Sequence, residues 1–319
     1  MHLYMKKIIL ISFILAAALA CGKVDLPQYD TPPHLQDTEK EENNKGDEDG
    51  KEDEGNKDDQ GDKPAPPTGA QMTVRFVSYN VGGFRKYHSD LGHYSYTEVA
   101  SIAKNISADV IGLNEIFKGA NSVDSGADQP ARLAAELGTG WNSYFAYAAN
   151  TTYGNGIVSA PEYEIVKEWP ATMIPKTADA GERRSMGCIE YEDFVFCVTH
   201  LDHQSSQARK DGVKIITDWA LANYGPDKTT KPVILLGDMN CIPADATITA
   251  FKKDWTMVSV KEPTFPSKGT CIDYIFVLNN GVSYEVGESH SVASNSAADV
   301  NKASDHYAIY CDLTFKAQK

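Results

Sequence analysis

The sequence predicts a mixed α/β sandwich in which strands outnumber helices and many strands pair antiparallel. Nine short segments are rich in Val, Ile, Tyr and Phe and are bounded by turn residues, which is typical of strands. Three longer segments have the hydrophobic periodicity of helices. Because the helices fall between the strands along the chain, we expect sheets and helices to pack together in one domain.

The elements follow one another in a regular order. The predicted strands cover residues 73–80, 109–113, 143–149, 156–160, 187–191, 194–199, 232–236, 273–277 and 306–315. The predicted helices cover residues 96–107, 128–137 and 204–223. In the last helix, Val213, Ile216, Trp219 and Ala220 gather on one face, which predicts packing against a sheet. These elements place the folded domain at about residues 72–319.

The charge of the chain is unevenly distributed. The 319 residues include 30 basic and 44 acidic ones, a net charge of −14, whereas residues 36–63 alone carry −8 and contain no apolar side chain. An acidic balance argues against a dedicated nucleic-acid surface, which is usually basic, but it leaves room for a substrate held through a metal. An apolar content of 42% and a charged content of 23% exclude a collagen, a polytopic membrane protein and a wholly disordered chain.

The first 20 residues have the pattern of an export signal. Lys6 and Lys7 precede an uncharged run, residues 8–20, that is too short for a stable transmembrane helix of about 20 residues. The run ends at Ala18-Leu19-Ala20-Cys21, which resembles the lipobox of bacterial lipoproteins with Ala18 in place of the usual Leu. We expect a signal peptide at residues 1–20 and lipidation of Cys21. The alternative is a plain secretory signal with an incidental cysteine.

A tether is predicted between this anchor and the folded domain. Asp, Glu, Lys, Asn and Gly dominate residues 22–70, which close with Pro64-Ala65-Pro66-Pro67. Such a segment buries too little apolar surface to offset its ordering entropy, so we expect residues 21–71 to be a disordered acidic linker that begins at the lipidated cysteine. The arrangement predicts an exported, lipid-anchored protein of the bacterial cell envelope, on the outer membrane or cell surface.

Five cysteines follow the lipobox, and export makes disulfides possible. Cys188 and Cys197 flank a predicted hairpin with residues 192–193 at its tip. A two-residue turn there places the two cysteines opposite each other as a non-hydrogen-bonded pair, in which a cross-strand bridge is feasible. Cys241 and Cys271 are a second candidate pair.

Several predicted strands begin or end at polar residues that a plain sandwich does not need. Catalytic groups gather at such places, where loops on a rigid scaffold meet water, so we expect these side chains to converge on one pocket. The acids are Glu115, Asp238, Asp273 and Asp305, the amides are Asn80 and Asn240, and the histidines are His200 and His306. Taken singly, each residue has an alternative role in a turn or a cap.

Together, these residue types suit the hydrolysis of a phosphate ester. Mg²⁺ prefers oxygen ligands and keeps several waters, so Glu115 with Asn80 or Asp305 suits a magnesium site. Asp238 and Asn240 suit orienting a water and holding a phosphate oxygen, while the histidines suit proton transfer and charge stabilisation. A zinc site is disfavoured because the histidines lack HExxH spacing.

Seven motifs in order carry a family resemblance. They are SYNVGG (78–83), IGLNEI (111–116), YGNGIVS (153–159), THLDH (199–203), LLGDMN (235–240), IDYIFV (272–277) and SDHYAI (304–309). The set resembles the endonuclease/exonuclease/phosphatase superfamily, which has the deoxyribonuclease-I-like fold, over essentially all of residues 72–319. The resemblance implies a four-layer α/β sandwich with two mixed β-sheets packed face to face and helices outside.

The resemblance also implies roles for individual residues. The implied metal-side residues are Asn80, Glu115 and Asp305, and the implied catalytic residues are His200, Asp238, Asn240, Asp273 and His306. The implied substrate-binding residues are Asn155, Arg184 and Arg209, the two arginines because segments 181–187 and 199–212 resemble exported and small bacterial metal-dependent hydrolases. For each arginine, the alternative is a surface ion pair. The sequence departs from the family pattern at Asn114, where Gln is common, and at Gly82, where some nucleases carry an acid.

The function predicted from these observations is an exported Mg²⁺-dependent phosphoesterase, with Mn²⁺ as a possible substitute. Its substrate class stays open among a nucleic acid, a phospholipid head group and a phosphorylated sugar or inositol, and so does the choice between diester and monoester. We expect a monomeric catalytic domain that meets the membrane only through its lipid anchor. The alternative is a catalytically silent, surface-binding lipoprotein on the same fold.

Overall fold

The computed structural model describes residues 69–119 and 123–318. The predicted signal peptide, Cys21 and residues 21–68 of the predicted linker lie outside the described residues. The strands are β1 (Gln71–Asn80), β2 (Val110–Phe117), β3 (Asn142–Asn150), β4 (Tyr153–Ser159), β5 (Ile165–Ile174), β6 (Arg184–Tyr191), β7 (Val195–His200), β8 (Val233–Asp238), β9 (Trp255–Met257), β10 (Asp273–Leu278), β11 (Tyr284–Ser291) and β12 (Ile309–Lys316). The α-helices are α1 (His88–Leu91), α2 (Tyr96–Asn105), α3 (Gln129–Leu137), α4 (Ser206–Tyr224), α5 (Ala246–Phe251) and α6 (Val300–Ala303). Within these ranges, no helix combines the length and apolar character needed to cross a membrane.

The strands form two six-stranded sheets. The first sheet has the order β11-β12-β1-β2-β4-β3, and the second has the order β5-β6-β7-β8-β10-β9. Each sheet contains one parallel pair, β1 with β2 and β7 with β8, and its other neighbours pair antiparallel. The predicted mixed α/β sandwich is confirmed.

The two sheets and the helices on their outer faces form four layers, which three apolar cores hold together. Between the sheets, the ring of Phe76 stacks on that of Phe196 at 5.6 Å and meets the edge of Phe194 at 5.2 Å. Helices α2 and α3 cover the outer face of the first sheet, and helices α4 and α5 cover that of the second. Gly112 lets the sheets approach closely, because a Cβ there would overlap the side chain of Leu236. The central strands of each sheet are therefore buried on both faces, as expected for sheets that pack face to face with helices outside.

The predicted helices are confirmed within two residues at each end, and their starts have a physical cause. Asp128 accepts a hydrogen bond from the Ala131 N–H at the start of α3, and Ser205 accepts one from Ala208 N–H at the start of α4. A side-chain oxygen in this position satisfies an N–H that has no partner within the helix. Helix α4 leads directly away from the polar end of β7, so its cap also fixes the loop that follows that strand.

The structure has three strands that the sequence analysis did not predict, β5, β9 and β11. Strands β5 and β11 are sheet edges whose side chains are largely exposed, so they lack the apolar alternation of a half-buried strand. Pro170 lies in β5 at a shift of register between Trp169 and Thr172, where the ladder does not need its missing N–H. Strand β9 has only three residues, too few for a periodic pattern.

The predicted hairpin register is confirmed, but neither predicted disulfide is present. Cys188 pairs with Cys197 across β6 and β7, and residues 192–193 form the tip. All five cysteines of the described chain are buried free thiols. The Cys188 thiol is hydrogen-bonded to that of Cys197, and the Cys271 thiol donates to the Asp273 carbonyl instead of meeting Cys241. The structure therefore has thiol hydrogen bonds where bridges were expected.

Candidate functional site

Strand register brings the predicted polar residues to one end of both sheets. In the second sheet, His200 at the end of β7 pairs with Asp238 at the end of β8, which pairs with Asp273 at the start of β10. In the first sheet, Asn80 at the end of β1 pairs with Asn114 in β2. The ends of the two parallel pairs thus meet at the same edge of the sandwich, so the predicted convergence of these side chains follows from the topology.

The Asn80 amide joins the two sheets at this edge. Its Nδ2 lies 3.1 Å from Oε1 of Glu115 and 3.1 Å from Oδ2 of Asp238, and it donates to both carboxylates. Its Oδ1 accepts a hydrogen bond of 3.1 Å from the Gly82 N–H. In this orientation Asn80 holds the Glu115 carboxylate, which is predicted to bind the metal, beside the Asp238 carboxylate, which is predicted to orient the water.

Two residues of the cluster have left-handed backbone conformations that side chains other than glycine adopt rarely. Glu115 has φ 57° within a β-bulge, where the register of β2 against β4 shifts between Leu113 and Ile116. Asn240 has φ 50° directly after β8. A bulge re-aims a side chain, and such strained conformations gather at functional sites. Here the left-handed turns direct a carboxylate and an amide into the cluster.

Asp238, Asn240 and His200 form a hydrogen-bonded group. Oδ1 of Asp238 accepts from the Asn240 N–H at 2.8 Å, and Asn240 Nδ2 lies 2.8 Å from His200 Nε2. Burial and the nearby positive charges of Arg184 and His306 hold the pKa of His200 well below its usual value. His200 is therefore neutral at pH 7, with Nε2 as the acceptor and the proton on Nδ1.

Asp273 and His306 form a buried ion pair beside this group. Nδ1 of His306 lies 2.9 Å from Oδ2 of Asp273, and its Nε2 lies 3.8 Å from Oδ2 of Asp238. Burial opposes the charged imidazole, but the charge and hydrogen bond of Asp273 outweigh it and raise the pKa of His306 to about 10. Burial and the charge of Asp273 also raise the pKa of Asp238 to about 7. A carboxylate with a pKa near neutrality is suited to act as a general base.

The loop before β10 covers His306. The ring of Phe265 lies 4.8 Å from the imidazole, and the Tyr307 N–H donates to the Thr264 carbonyl at 2.7 Å. The sequence analysis did not assign a role to Phe265.

Glu115 and Asp305 provide a donor set that fits a hard divalent cation. Burial and the neighbouring charge of Asp305 raise the pKa of Glu115, so the two carboxylates oppose each other and a cation between them would relieve that repulsion. Gly82 keeps the space beside Asp305 open, because a Cβ there would lie 3.3 Å from its Oδ1. Carboxylate oxygens are the ligands that Mg²⁺ prefers. Asp238, Asp273 and His306 also lie within reach of one ion, but His306 Nδ1 already bonds to Asp273.

Arg184 is part of the cluster and is not a surface residue. Its side chain is buried, with NH1 2.9 Å from Oε1 of Glu182 and NH2 3.3 Å from Nδ1 of His203. Its buried Nε has no hydrogen-bond partner among the described residues. Although burial opposes its charge, Tyr153 and acids including Glu115 raise the pKa of Arg184. The guanidinium is a permanent positive charge with an unused donor beside the carboxylates.

Arg209 is also buried, but its contacts hold two loops together. NH1 donates to the Asp202 carbonyl at 3.1 Å, and NH2 lies 3.5 Å from Oδ2 of Asp245. Asp202 follows the end of β7, and Asp245 caps α5 after the loop that contains Asn240. Arg209 therefore forms its ion pair from a buried side chain, and not at the surface as the alternative supposed. The contacts of Arg209 join the loops that carry His200 and Asn240.

Asn155 lies close to the site, but the protein itself uses its amide. Its Oδ1 accepts from Asn114 Nδ2 at 2.9 Å, its Nδ2 donates to the Ser185 carbonyl at 3.0 Å, and the residue is buried. The structure thus gives Asn155 a place between the sheets instead of the predicted substrate contact. Asn114, which the sequence analysis noted only as a departure from the family pattern, is its partner.

Comparisons with known proteins agree with this geometry. The sequence model of the Endonuclease/Exonuclease/phosphatase family matches residues 77–306. A search of curated proteins found no match. An endonuclease/exonuclease/phosphatase family protein from Bacteroides thetaiotaomicron is 19% identical, with a TM-score of 0.60 over 78% of this chain and 98% of that chain. A mannosyl-6-phosphatase from the same species is 19% identical, with a TM-score of 0.59 over 75% and 99%. A truncated TDP2 from Caenorhabditis elegans is 15% identical, with a TM-score of 0.54 over 76% and 98%. At these identities the structural likeness establishes the fold.

Proposed function

Because the chain belongs to the endonuclease/exonuclease/phosphatase family, we propose that it is a metal-dependent phosphoesterase. The observation that carries the proposal is Asp238, a buried carboxylate with a pKa of about 7, placed between two histidines and bonded through Asn80 to Glu115. This set combines a base, a cation site and a protonated imidazole in neighbouring side chains, whose polar atoms lie 3.1 to 3.8 Å apart.

Asp238 orients the attacking water and takes its proton. Its Oδ1 is held by the Asn240 N–H and its Oδ2 by the Asn80 amide, so the carboxylate has one fixed direction. Glu115 and Asp305, with Asn80 beside them, would hold the divalent cation, for which we propose Mg²⁺ with Mn²⁺ as a substitute. When bound, the cation neutralises charge on the phosphate oxygens.

The two histidines have different tasks because their environments differ. His306 is kept protonated by Asp273, so it stabilises the negative charge that develops on the phosphate. His200 is neutral, and with the Leu201 carbonyl it accepts from Asn240 Nδ2, so it fixes the loop that carries Asn240 beside Asp238. Arg184 supplies a second fixed positive charge, and its guanidinium geometry suits two phosphate oxygens.

The substrate is a phosphate ester held by these charges. Its class is one of a nucleic acid, a phospholipid head group and a phosphorylated sugar or inositol. The similar structure of a mannosyl-6-phosphatase supports including sugar phosphates among the first compounds tested. We further propose that residues 1–20 direct export and that lipidated Cys21 anchors a monomeric catalytic domain, residues 72–319, to the cell envelope through the acidic linker. The export pattern at residues 1–20 and the lipobox motivate this proposal.

A panel of phosphate esters tests the proposed function. The purified protein is assayed on bis-p-nitrophenyl phosphate, single-stranded DNA, sphingomyelin, mannose 6-phosphate and an inositol phosphate, each with Mg²⁺, Mn²⁺ or EDTA. We expect hydrolysis of at least one class, its loss in EDTA, and a fall of about 10³-fold or more in kcat for Asp238→Ala, as for other groups acting in general base catalysis. Asp218→Ala is the matched control, because Asp218 is an exposed acid on α4.

Three outcomes would contradict the proposal. These are no hydrolysis of any ester, activity that is indifferent to EDTA, and equal activity of the Asp238→Ala variant and the wild type with both proteins folded. The first outcome, together with no Mn²⁺ binding by calorimetry, favours the surface-binding protein considered as the alternative.

A further inference from the structure

One buried amide of the first sheet makes three hydrogen bonds at the end of the sandwich. Nδ2 of Asn114 donates to the Thr199 carbonyl and to Oδ1 of Asn155, each at 2.9 Å. Oδ1 of Asn114 accepts from the Asp238 N–H, also at 2.9 Å. Asn114 is fully buried. Two of these bonds cross from β2 in the first sheet to the backbone of β7 and β8 in the second.

A second amide extends the same contact to a third strand. Nδ2 of Asn155, on β4, donates to the Ser185 carbonyl on β6 at 3.0 Å, and the Thr199 hydroxyl donates to the same carbonyl at 3.1 Å. We call Asn114 and Asn155 the inter-sheet bridge. Together they form hydrogen bonds with backbone groups of three adjacent strands of the second sheet.

The hydrogen bonds of the inter-sheet bridge end at residues of the candidate site or at their neighbours in sequence. Asn114 precedes Glu115, and its acceptor Thr199 precedes His200. Its donor is the N–H of Asp238 itself. Gly237 makes room for this contact, because it lies against the Thr199 carbonyl and a Cβ there would lie 3.3 Å from Asn114 Oδ1. The inter-sheet bridge therefore connects the strand that carries Glu115, beside the candidate cation site, to the strands that carry His200 and Asp238.

We propose that Asn114 is a positioning residue, which with Asn155 sets the distance and register between the cation-binding part of the site on the first sheet and the water-activating part on the second. The proposal rests on the proposed function. Asn114 acts through its neighbours, since its fully buried side chain is closed to substrate. A displacement of about 1 Å between reacting groups lowers a rate by about 100-fold, so loss of the bridge affects kcat and leaves substrate binding little changed.

Replacement of Asn114 by a residue of the same size tests this role. We expect Asn114→Leu to lower kcat on bis-p-nitrophenyl phosphate by about 100-fold while KM changes less than about threefold. Asn155→Ala removes one arm of the bridge and keeps the Asp238 contact, so kcat falls by about tenfold with KM unchanged. This second variant keeps the test available if the first does not fold. A rise in KM with kcat unchanged in Asn155→Ala would overturn the proposal, because it would show a direct substrate contact.

Amide exchange provides a readout that does not depend on activity. In nuclear magnetic resonance measurements on Asn114→Leu, we expect the Asp238 amide to exchange faster relative to the Leu236 amide, because only the former has lost its acceptor. Val277→Ala is the control for general destabilisation, since Val277 is buried between the sheets on β10 and belongs to no part of the site. It is expected to speed exchange of both amides alike and to keep kcat within about twofold.

The outcomes separate the two proposals. If Asn114→Leu is folded and keeps its kcat, or if both amides lose protection equally, the positioning role is overturned. If the wild type hydrolyses no ester, the proposed function fails by itself, and the exchange rates still decide whether the bridge holds Asp238.

Discussion

At the scale of single residues, the acids of the candidate site differ in the charged groups that surround them. Asp273 is compensated by protonated His306, whereas Glu115 faces Asp305 and Asp238 is buried against Asp273. Under the proposed function, the same residue type therefore serves as a partner for an imidazole, as a cation ligand and as a base. This assignment leads to predictions that differ from one carboxylate to the next.

Glu115→Gln is predicted to weaken cation binding more than it changes the fold. The amide keeps the size of the side chain but removes the negative charge that opposes Asp305. We expect the Mg²⁺ concentration for half-maximal activity to rise at least about tenfold, since losses of outer-sphere partners alone cost about 10- to 100-fold. Mn²⁺ titration by calorimetry checks it, with exposed Glu288→Gln as the control. Unchanged Mn²⁺ affinity would remove Glu115 from the cation site.

Arg184→Lys is predicted to weaken substrate binding. A lysine keeps the charge but loses the planar fork that contacts Glu182 and His203. We expect KM for a phosphate ester to rise about tenfold, the value of one charge-assisted hydrogen bond, with a smaller change in kcat. Steady-state kinetics measure it. Arg183→Lys is the matched control, because Arg183 donates to the carbonyls of residues 148 and 149 instead of the acids. An identical KM in the two variants contradicts a phosphate contact by Arg184.

At the scale of elements, the sequence was most informative where a strand is buried on both faces. The strands that end at Asn80, His200 and Asp238 are mostly apolar and rich in β-branched or aromatic residues, so the strands and their polar ends could be predicted. Edge strands β5 and β11 were missed because exposed side chains carry no apolar pattern. The bulge at Glu115 and the bridge through Asn114 were also missed, because each depends on register between strands distant in sequence.

Strand β8 requires glycine at its penultimate position. A Cβ on Gly237 would overlap the Thr199 carbonyl oxygen, and φ is 142°. We expect Gly237→Ala to lower the free energy of unfolding by about 3 kcal/mol or more, above the 1–3 kcal/mol typical of overpacking, because the overlapped atom is backbone. Urea unfolding measures it. Gly281→Ala is the control, since φ there is 85° with no atom within 4 Å. Equal decreases in the free energy of unfolding in the two variants would show that backbone strain, and not the close approach of β7 and β8, determines the loss of stability.

At the scale of the whole molecule, the buried ion pair links stability to pH. The pKa of His306 rises from 6.5 to about 10 on folding, and that of Asp238 rises from 3.8 to about 7. Both groups bind their protons more tightly in the folded state, so each stabilises the protein below its unfolded pKa and loses that contribution as pH rises through its folded pKa. Both contributions therefore make the folded protein less stable as the pH rises.

We therefore expect the metal-free protein to become less stable as the pH rises from 7 to 10, the interval in which folded His306 still holds the proton that the unfolded chain has lost. Thermal unfolding in EDTA at a series of pH values measures the slope. In His306→Asn the slope should be reduced, whatever the absolute stability of the variant. A slope that is the same in both proteins would show that other groups control the alkaline response.

The two strand orders are the same order used twice. When β11-β12-β1-β2-β4-β3 is laid over β5-β6-β7-β8-β10-β9, each parallel pair falls on the other. Asn80 and Asn114 then occupy the places of His200 and Asp238. The molecule is thus a pseudo-twofold structure whose halves have diverged in chemistry: matching positions supply neutral amides in one half and an imidazole and an acid in the other.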